Sequence, residues 1–367
     1  MNGIIGSTSF TQADIDWFAI ASGDYNPVHV DPVIARRLIT GGTVVHGMRT
    51  LLWMIEQHFA GGGNGFNRLT AYFPRPVKPG DALELLRQPS AEGTGVRLDL
   101  LRDGETVAAV TLEGDEVASL VVEPAAGRLE RCAPDELSFA ALKGRSGKIP
   151  LAWANVDMNS AFPLAAHRLG EVRVAAIMAL SRLVGMQVPG LHSIFTGIAI
   201  TLIGDTANHA IEWQVSRASV PIAPIRLTIA GGGISGHADA IVRPAPVQQP
   251  QISALEGVVG PNEFAGQRAL VVGGSRGLGE LTAKLVVAGG GKATVSYVTG
   301  GVDAQRVVSE IAEWGGKCSA VRLDATEFDA LSSSLLNLED APTHLYYFPT
   351  PRISKRATYG FDAEAFT

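Results

Sequence analysis

The chain has 367 residues, 46% of them hydrophobic and 18% charged, with a formal net charge of −6. That is apolar material for two or three cores rather than one, and with no run of Lys or Arg there is no footprint for a phosphate backbone, which excludes nucleic acid as a partner class. Cys132 and Cys318 are the only thiols; they exclude a disulfide framework or a cysteine metal cluster and fit a reducing compartment.

The N-terminal "MNGIIGSTSFTQADID" lacks a basic stretch followed by an apolar one, so no secretory signal is read and a cytoplasmic location is expected. After the apolar run Trp17 to Ala21 comes "SGDYNPVHVDP", Ser22 to Pro32, dense in polar and turn-forming residues. Asp31-Pro32 is a helix start, with the acid accepting from orphan amides and Pro in the first turn. Asn26-Pro27 is a turn signal, Asn26 being biased to extended conformations. Asp24 and His29 remain: singly they read as a turn acid and an incidental histidine, whereas together on one rigid loop they are able to hold a carboxylate and an imidazole towards one water, as general acid–base chemistry needs. Ser22 and Gly23 let the chain turn closely before Asp24.

"VVHGMRTLLWMIEQHFA" (44–60) then reads as one apolar helix, and residues 69–85, 95–104 and 106–123 as strands. The order partly recurs. "EVRVAAIMALSRLVGM" (171–186) is helical, too short and too interrupted by Arg173 and Arg182 to span a bilayer, and four strand-like stretches follow it between 192 and 244. Two helix-on-sheet units packed as an internal pair are expected. The second has no acid–base loop; its His192 reads as a packed or hydrogen-bonded residue, and His167 stands ahead of its helix much as His46 stands ahead of the first. His46 is read as fixing the helix entry.

"RPAPVQQPQISALEGVVGPNEFAGQ" (243–267) is rich in Pro and Gln without periodicity and reads as containing a linker. Beyond it strands and helices alternate, the pattern of βαβ units in a parallel sheet. "ALVVGGSRGLGE" (269–280) joins a strand to a helix, and its glycines let backbone amides approach a pyrophosphate at the helix N-terminus.

"ASGDYNPVHVDPVIA" (21–35) resembles the hydratase-2 signature of MaoC-like, R-specific enoyl-CoA hydratases, and "GGTVVHGM" and "FPRPVKPGD" are similar to that family's helix entry and strand-and-turn. The resemblance runs from about Phe10 to about Val122. It implies a hot-dog fold, a long helix wrapped by antiparallel sheet, and reversible syn addition of water to a trans-2-enoyl thioester of CoA or an acyl-carrier protein, giving the R-3-hydroxyacyl product. Asp24 and His29 would share the water; the Gly47 amide would stabilise charge on the thioester oxygen, and Asn26 would orient the loop or hydrogen-bond a catalytic side chain. No cofactor is needed for that hydration.

Gly273, Gly277 and Gly279 resemble the short-chain dehydrogenase/reductase fingerprint, with Val272 in place of its Thr. The resemblance implies a dinucleotide held by Gly273, Ser275, Arg276, Gly277, Leu278 and Gly279, with Asp324 meeting the adenine; Asp324 also reads as a helix N-cap. Arg276 in the loop, and the absence of an acid at the end of the next strand, point to NADP over NAD. Two departures stand out. "YYFPTPR" (346–352) replaces the family's Asn-Asn-Ala-Gly, and no Tyr is followed four residues later by Lys, the family's catalytic pair. The stop at Thr367 after about four strands implies a piece of a longer protein.

The expected architecture is therefore an α+β double hot-dog followed by an α/β Rossmann-like parallel sheet: a MaoC-like hot-dog over 1–130, a second non-catalytic one over 135–245, a linker over 246–265 and a partial reductase domain over 266–367. The function expected is hydration or dehydration of an acyl thioester, fused to an NADP-dependent reductase. The alternatives are a thioester reductase with an auxiliary hot-dog part, or a non-catalytic acyl-binding scaffold. No membrane partner is expected, and a homo-oligomer is left open.

Overall fold

The computed structural model describes residues 3–38, 40–90, 95–123, 129–153, 156–204, 208–218, 224–243, 245, 247–325, 327, 338 and 340–348. The chain divides into two compact units, Met1–Ala245 and Pro246–Thr367.

In the first unit the chain runs β1 (Gly3–Thr8), α1 (Gln12–Ser22), the single-turn helices α2 (Pro27–Val30) and α3 (Pro32–Ala35), α4 (Gly47–Ala60), β2 (Arg68–Tyr72), β3 (Leu83–Pro89), β4 (Gly95–Arg102) and β5 (Glu105–Glu113). It continues through α5 (Phe139–Leu142), β6 (Ser146–Pro150), α6 (Met158–Ala161), α7 (Pro163–Leu169), α8 (Glu171–Arg182), a π turn (Leu183–Gln187), β7 (Ser193–Leu202), β8 (Ala210–Arg217), β9 (Ile225–Gly231) and β10 (Ile234–Val242).

All ten strands belong to one antiparallel sheet, in the order β1-β3-β4-β5-β2-β7-β10-β9-β8-β6. Each half repeats one topology: its strands lie first-third-fourth-fifth-second, and the two second strands, β2 and β7, pair edge to edge from Arg68↔Thr201 to Tyr72↔Gly197. Joining the halves there removes one exposed edge from each. The double hot-dog-like arrangement expected from the resemblance is thus a continuous sheet carrying one long helix per half.

The two long helices bury differently. Met48, Leu51, Leu52, Ile55 and Phe59 of α4 recur at helical spacing and face the core. In α8 every residue from Val172 to Arg182 is buried, as an apolar helix packed on all sides must be. Its buried Arg173 is satisfied by backbone carbonyls alone, donating to Leu169 at 2.8 Å, Ala118 and Ile203 at 2.9 Å and Gly233 at 3.3 Å. Pairing of four of its five N–H donors is what makes the buried cation tolerable.

Three differences from the expected elements have local causes. The helix read from Val44 begins at Gly47, because the Val45 amide donates to Val77 at 2.8 Å and holds the approach extended. The strand read over 106–123 ends at Glu113, where Gly114 turns with φ 78; the residues beyond it cross towards α8, and the Ala118 carbonyl is taken by Arg173. The edge strands β1 and β6 and the helices α6 and α7 carry too little periodicity to be read from sequence.

The second unit contains a short 3-10 helix (Ile252–Leu255), β11 (Arg268–Val272), α9 (Gly277–Ala288), β12 (Lys292–Tyr297), α10 (Gly301–Glu313), β13 (Cys318–Arg322) and β14 (His344–Tyr347). Its sheet is parallel throughout, in the order β13-β12-β11-β14, the order in which a doubly wound sheet begins. Alternation along β11 and β12 sends Ala269, Val271, Ala293 and Val295 into a core with Ala283, Val287, Val307 and Ile311 of the two helices. Leu270 and Val272 face the other way and, with Leu323, Leu345 and Tyr347, line a cavity of about 360 Å³. The helix expected after β13 falls in a stretch most of which lies outside the described residues, as does the end of the stretch 346–352.

Within the stretch 246–265, read as a linker, residues from Pro250 onward carry contacts inside this unit. Ile252 is buried in its core, the Lys284 ammonium donates to the Pro250 carbonyl at 2.8 Å, and the Ile252 amide donates to Glu310 at 2.9 Å. Lys284 is itself enclosed by Glu280 at 2.7 Å and Glu310 at 2.9 Å.

Candidate active site

α1 opens with a capping box: Thr11 accepts from the Asp14 amide, and the Asp14 carboxylate returns a bond to the Thr11 amide. It closes on Gly23, whose φ of 76 turns the chain sharply. That turn delivers Asp24, only 1% exposed, into the interior. Asn26 then caps α2 through its side-chain oxygen, accepting from the Val28 amide at 3.2 Å, and Asp31 caps α3, accepting from Val33 and Ile34 at 2.9 Å. Asp31 thus has the capping geometry read for it, and α2 presents His29.

His29 Nδ1 lies 2.8 Å from the Val44 carbonyl. A backbone carbonyl only accepts, so Nδ1 carries the proton and the neutral ring keeps its lone pair on Nε2. That Nε2 stands 3.9 Å from Asp24 Oδ2. Two acceptors at this separation do not bond to each other; a water oxygen about 2.8 Å from both would see them at an angle of about 90°, close to its own two O–H directions.

His46, completely buried, brings Nε2 to 3.0 Å from the Asp24 carbonyl and therefore donates there. Its ring stacks on that of His29, with centroids 3.7 Å apart and planes 23° apart. His46 thereby supports both the backbone of Asp24 and the ring of His29, and as the N-cap of α4 it offers no side-chain bond to the first-turn amides that begin with Gly47. Those amides are donors of the kind that stabilise a developing oxyanion.

The second half of the unit closes the site from the other side. Ser181 of α8 donates to Asp24 Oδ2 at 2.7 Å. Asn26 Nδ2 donates to the Gly185 carbonyl at 2.7 Å and to that of Gly190 at 3.2 Å. Gly185 sits in the π turn so tightly against the site that a Cβ there would stand 2.4 Å from Asp24 Oδ1. Nothing in the sequence pattern pointed to Ser181 or Gly185; the one faint signal is that they are small or polar residues inside an otherwise apolar run.

Burial pushes the Asp24 carboxyl upward, against the opposing pull of His29, the Ser181 hydroxyl, the Asn26 amide and Arg182. Burial, followed by repulsion from His29, holds His46 well below the usual histidine range, so it stays neutral. Asp24, His29 and His46 are also the one group among the described residues with metal-ligating atoms this close together. They do not suit an ion. His46 Nε2, which would have to offer its lone pair to a metal, instead carries a proton to the Asp24 carbonyl.

The other histidines stand apart from this cluster. His192 Nε2 pairs with Glu136 at 3.0 Å. His167 is exposed, unlike the fully buried His46 with which its position was compared.

In the second unit, Gly273 (φ 75) and Gly277 (φ 59) take the left-handed conformation that favours glycine, and a Cβ on Gly279 would meet the Gly273 carbonyl at 2.4 Å. Gly279 is needed for helix-to-loop packing, whereas the space around Gly277 is open. Arg276, the exposed N-cap of α9, makes no side-chain bond to the first-turn amides. Ser275 lies in the same loop, Leu278 is 67% exposed at its rim, and Asp324 follows the end of β13. A bare helix start approached through glycines fits a pyrophosphate.

Residues 6–95 match the model of the MaoC like domain. A protein described as a probable dehydratase, NIT22, from Ajellomyces capsulatus is 38% identical over 69 residues, 18% of this chain and 18% of that protein. The chain therefore matches less than a fifth of the length of that curated relative. A solved structure described as a MaoC-like dehydratase is 17% identical with a TM-score of 0.45, over 66% of this chain and 98% of its own. A short-chain dehydrogenase from Burkholderia cenocepacia J2315 in complex with NADP is 35% identical with a TM-score of 0.20, over 20% of this chain and 30% of its own. The N-terminal part of the chain thus carries a MaoC-like domain, over residues 6–95.

Proposed function

We propose that the first unit adds water reversibly to a trans-2-enoyl thioester, carried on CoA or an acyl-carrier protein. The observation that carries this reading is the pair of acceptors, Asp24 Oδ2 and His29 Nε2, facing one another at 3.9 Å without a bond between them. One of them takes a proton from the shared water as its oxygen bonds to C3 and returns that proton to C2 on the same face; the other accepts the remaining O–H and holds the water's orientation. Charge passing to the thioester oxygen meets the Gly47 amide at the start of α4, a donor whose loss typically costs about 2.7–4 kcal/mol of barrier. Asn26 holds the loop to the second half through the carbonyls of Gly185 and Gly190. In the second unit, the loop Gly273–Gly279 would hold the pyrophosphate of NADP, with Arg276 against the 2′-phosphate. Bound there, NADP would supply hydride chemistry; the chain has no tyrosine followed four residues later by lysine, so no residue is assigned to that step.

The test is an ultraviolet assay on crotonyl-CoA and longer enoyl-CoAs. Loss of the conjugated thioester absorbance with the wild type, abolished in Asp24→Asn and His29→Ala, is expected. An inactive wild type, or variants as active as it, would overturn the hydratase reading.

A further inference from the structure

α8 is apolar and buried around its whole circumference, yet it carries a hydroxyl, Ser181, only 3% exposed. A serine inside a helix commonly turns its hydroxyl back to the carbonyl four residues earlier. Ser181 instead reaches Asp24 Oδ2 at 2.7 Å, across 157 residues of sequence. On the other side of the same carboxylate, Oδ1 receives the Asn26 amide at 3.2 Å and lies against the Cα of Gly185, which has no side chain to push it away.

We propose that Ser181, supplied by the half without the acid–base signature, is a positioning residue for Asp24. Its hydroxyl holds one lone pair of Oδ2, leaving the other for the catalytic water. This inference rests on the hydratase reading of Asp24. A carboxylate free to rotate inside the site would present its two oxygens indifferently; held by Ser181 on Oδ2 and by Asn26 and Gly185 at Oδ1, it presents one geometry to the substrate. The same hydroxyl stabilises the ionised form of an acid that burial disfavours. The titratable and charged groups facing Asp24 are His29 on α2, His46 at the entry to α4 and Arg182 on α8, and none of them replaces this hydrogen bond.

The experiment uses the full chain and the Ser181→Ala variant, which removes one oxygen atom and keeps the helix. Two readouts are taken: the pH profile of kcat/KM on crotonyl-CoA, and the titration of the Asp24 carboxyl by NMR with 13C-labelled aspartate, assigned by its disappearance in Asp24→Asn. Without the donor, kcat/KM falls about tenfold or more, and both the acidic limb and the carboxyl midpoint move up by about one pH unit. A limb and midpoint that stay where the wild type has them overturn this inference alone, even if activity falls. A wild type inactive on every enoyl-CoA overturns the functional reading and this inference with it.

Discussion

The two halves of the first unit have the same strand order and the same helix-before-second-strand plan, yet they treat the start of that helix in opposite ways. At the first, α4 begins beside Asp24 and His29, at a half-buried Gly47 whose amide is not capped by a side chain. At the second, α8 follows Gly170, where a Cβ would stand 2.2 Å from the Leu120 carbonyl, and the crossing segment is tied down by Arg173. One helix start is left without a side-chain cap; the other is covered, and its helix is buried from Val172 to Arg182. What the second half retains is support: Ser181, Gly185 and Gly190 all act on residues of the first.

This asymmetry is open to direct attack, and the largest effect is expected on the side of Asp24 and His29. His29→Ala and Asp24→Asn should each lower enoyl-CoA hydration by about 10²–10⁴-fold, while His192→Ala, on the supporting side, should leave the rate within twofold. Gly185→Ala comes next. Its Cβ would stand 2.4 Å from Asp24 Oδ1, so the carboxylate must move, and a displacement of that order lowers kcat by about 10²-fold; a crystal structure of the variant would show the shifted side chain.

Smaller effects are expected on stability. Glu56 of α4 accepts from the amides of Leu164 at 3.0 Å and Ala165 at 2.9 Å at the start of α7, joining the halves. Glu56→Ala should cost about 1–3 kcal/mol, seen as a fall of about 2–12 °C in the melting temperature of a unit this size. The smallest effect has the opposite sign. Burial raises the Asp24 carboxyl above its unfolded value of 3.8, so its ionisation in the folded state is a penalty, absent below that value and growing as pH rises towards the folded one. Asp24→Asn should therefore melt above the wild type at pH 7, with the gap closing by pH 4. A wild type melting above the variant at pH 7 would contradict it.

The comparison also explains which parts of the molecule could be read early. The helix of residues 44–60 was recognisable because Met48, Leu51, Leu52, Ile55 and Phe59 share one face, and the βαβ alternation after residue 266 because its strands and helices change period cleanly. β1 and β6 were invisible, since an edge strand of five or six residues with one buried position at most has almost no pattern to show. The strand ending at Glu113 was overread because the apolar crossing segment beyond Gly114 looks like strand until Arg173 and α8 are in place to claim it.

From its own residues the chain specified the chemistry of one loop: which acid and which imidazole stand near each other, and which prolines and caps hold them, because those relations span fewer than ten residues. What a carboxylate can do depends on donors and burial from every direction, and those came from α8, some 157 residues away in sequence. Only the fold could decide that a half lacking that loop would donate a hydroxyl to the buried Asp24 carboxylate of the half that carries it.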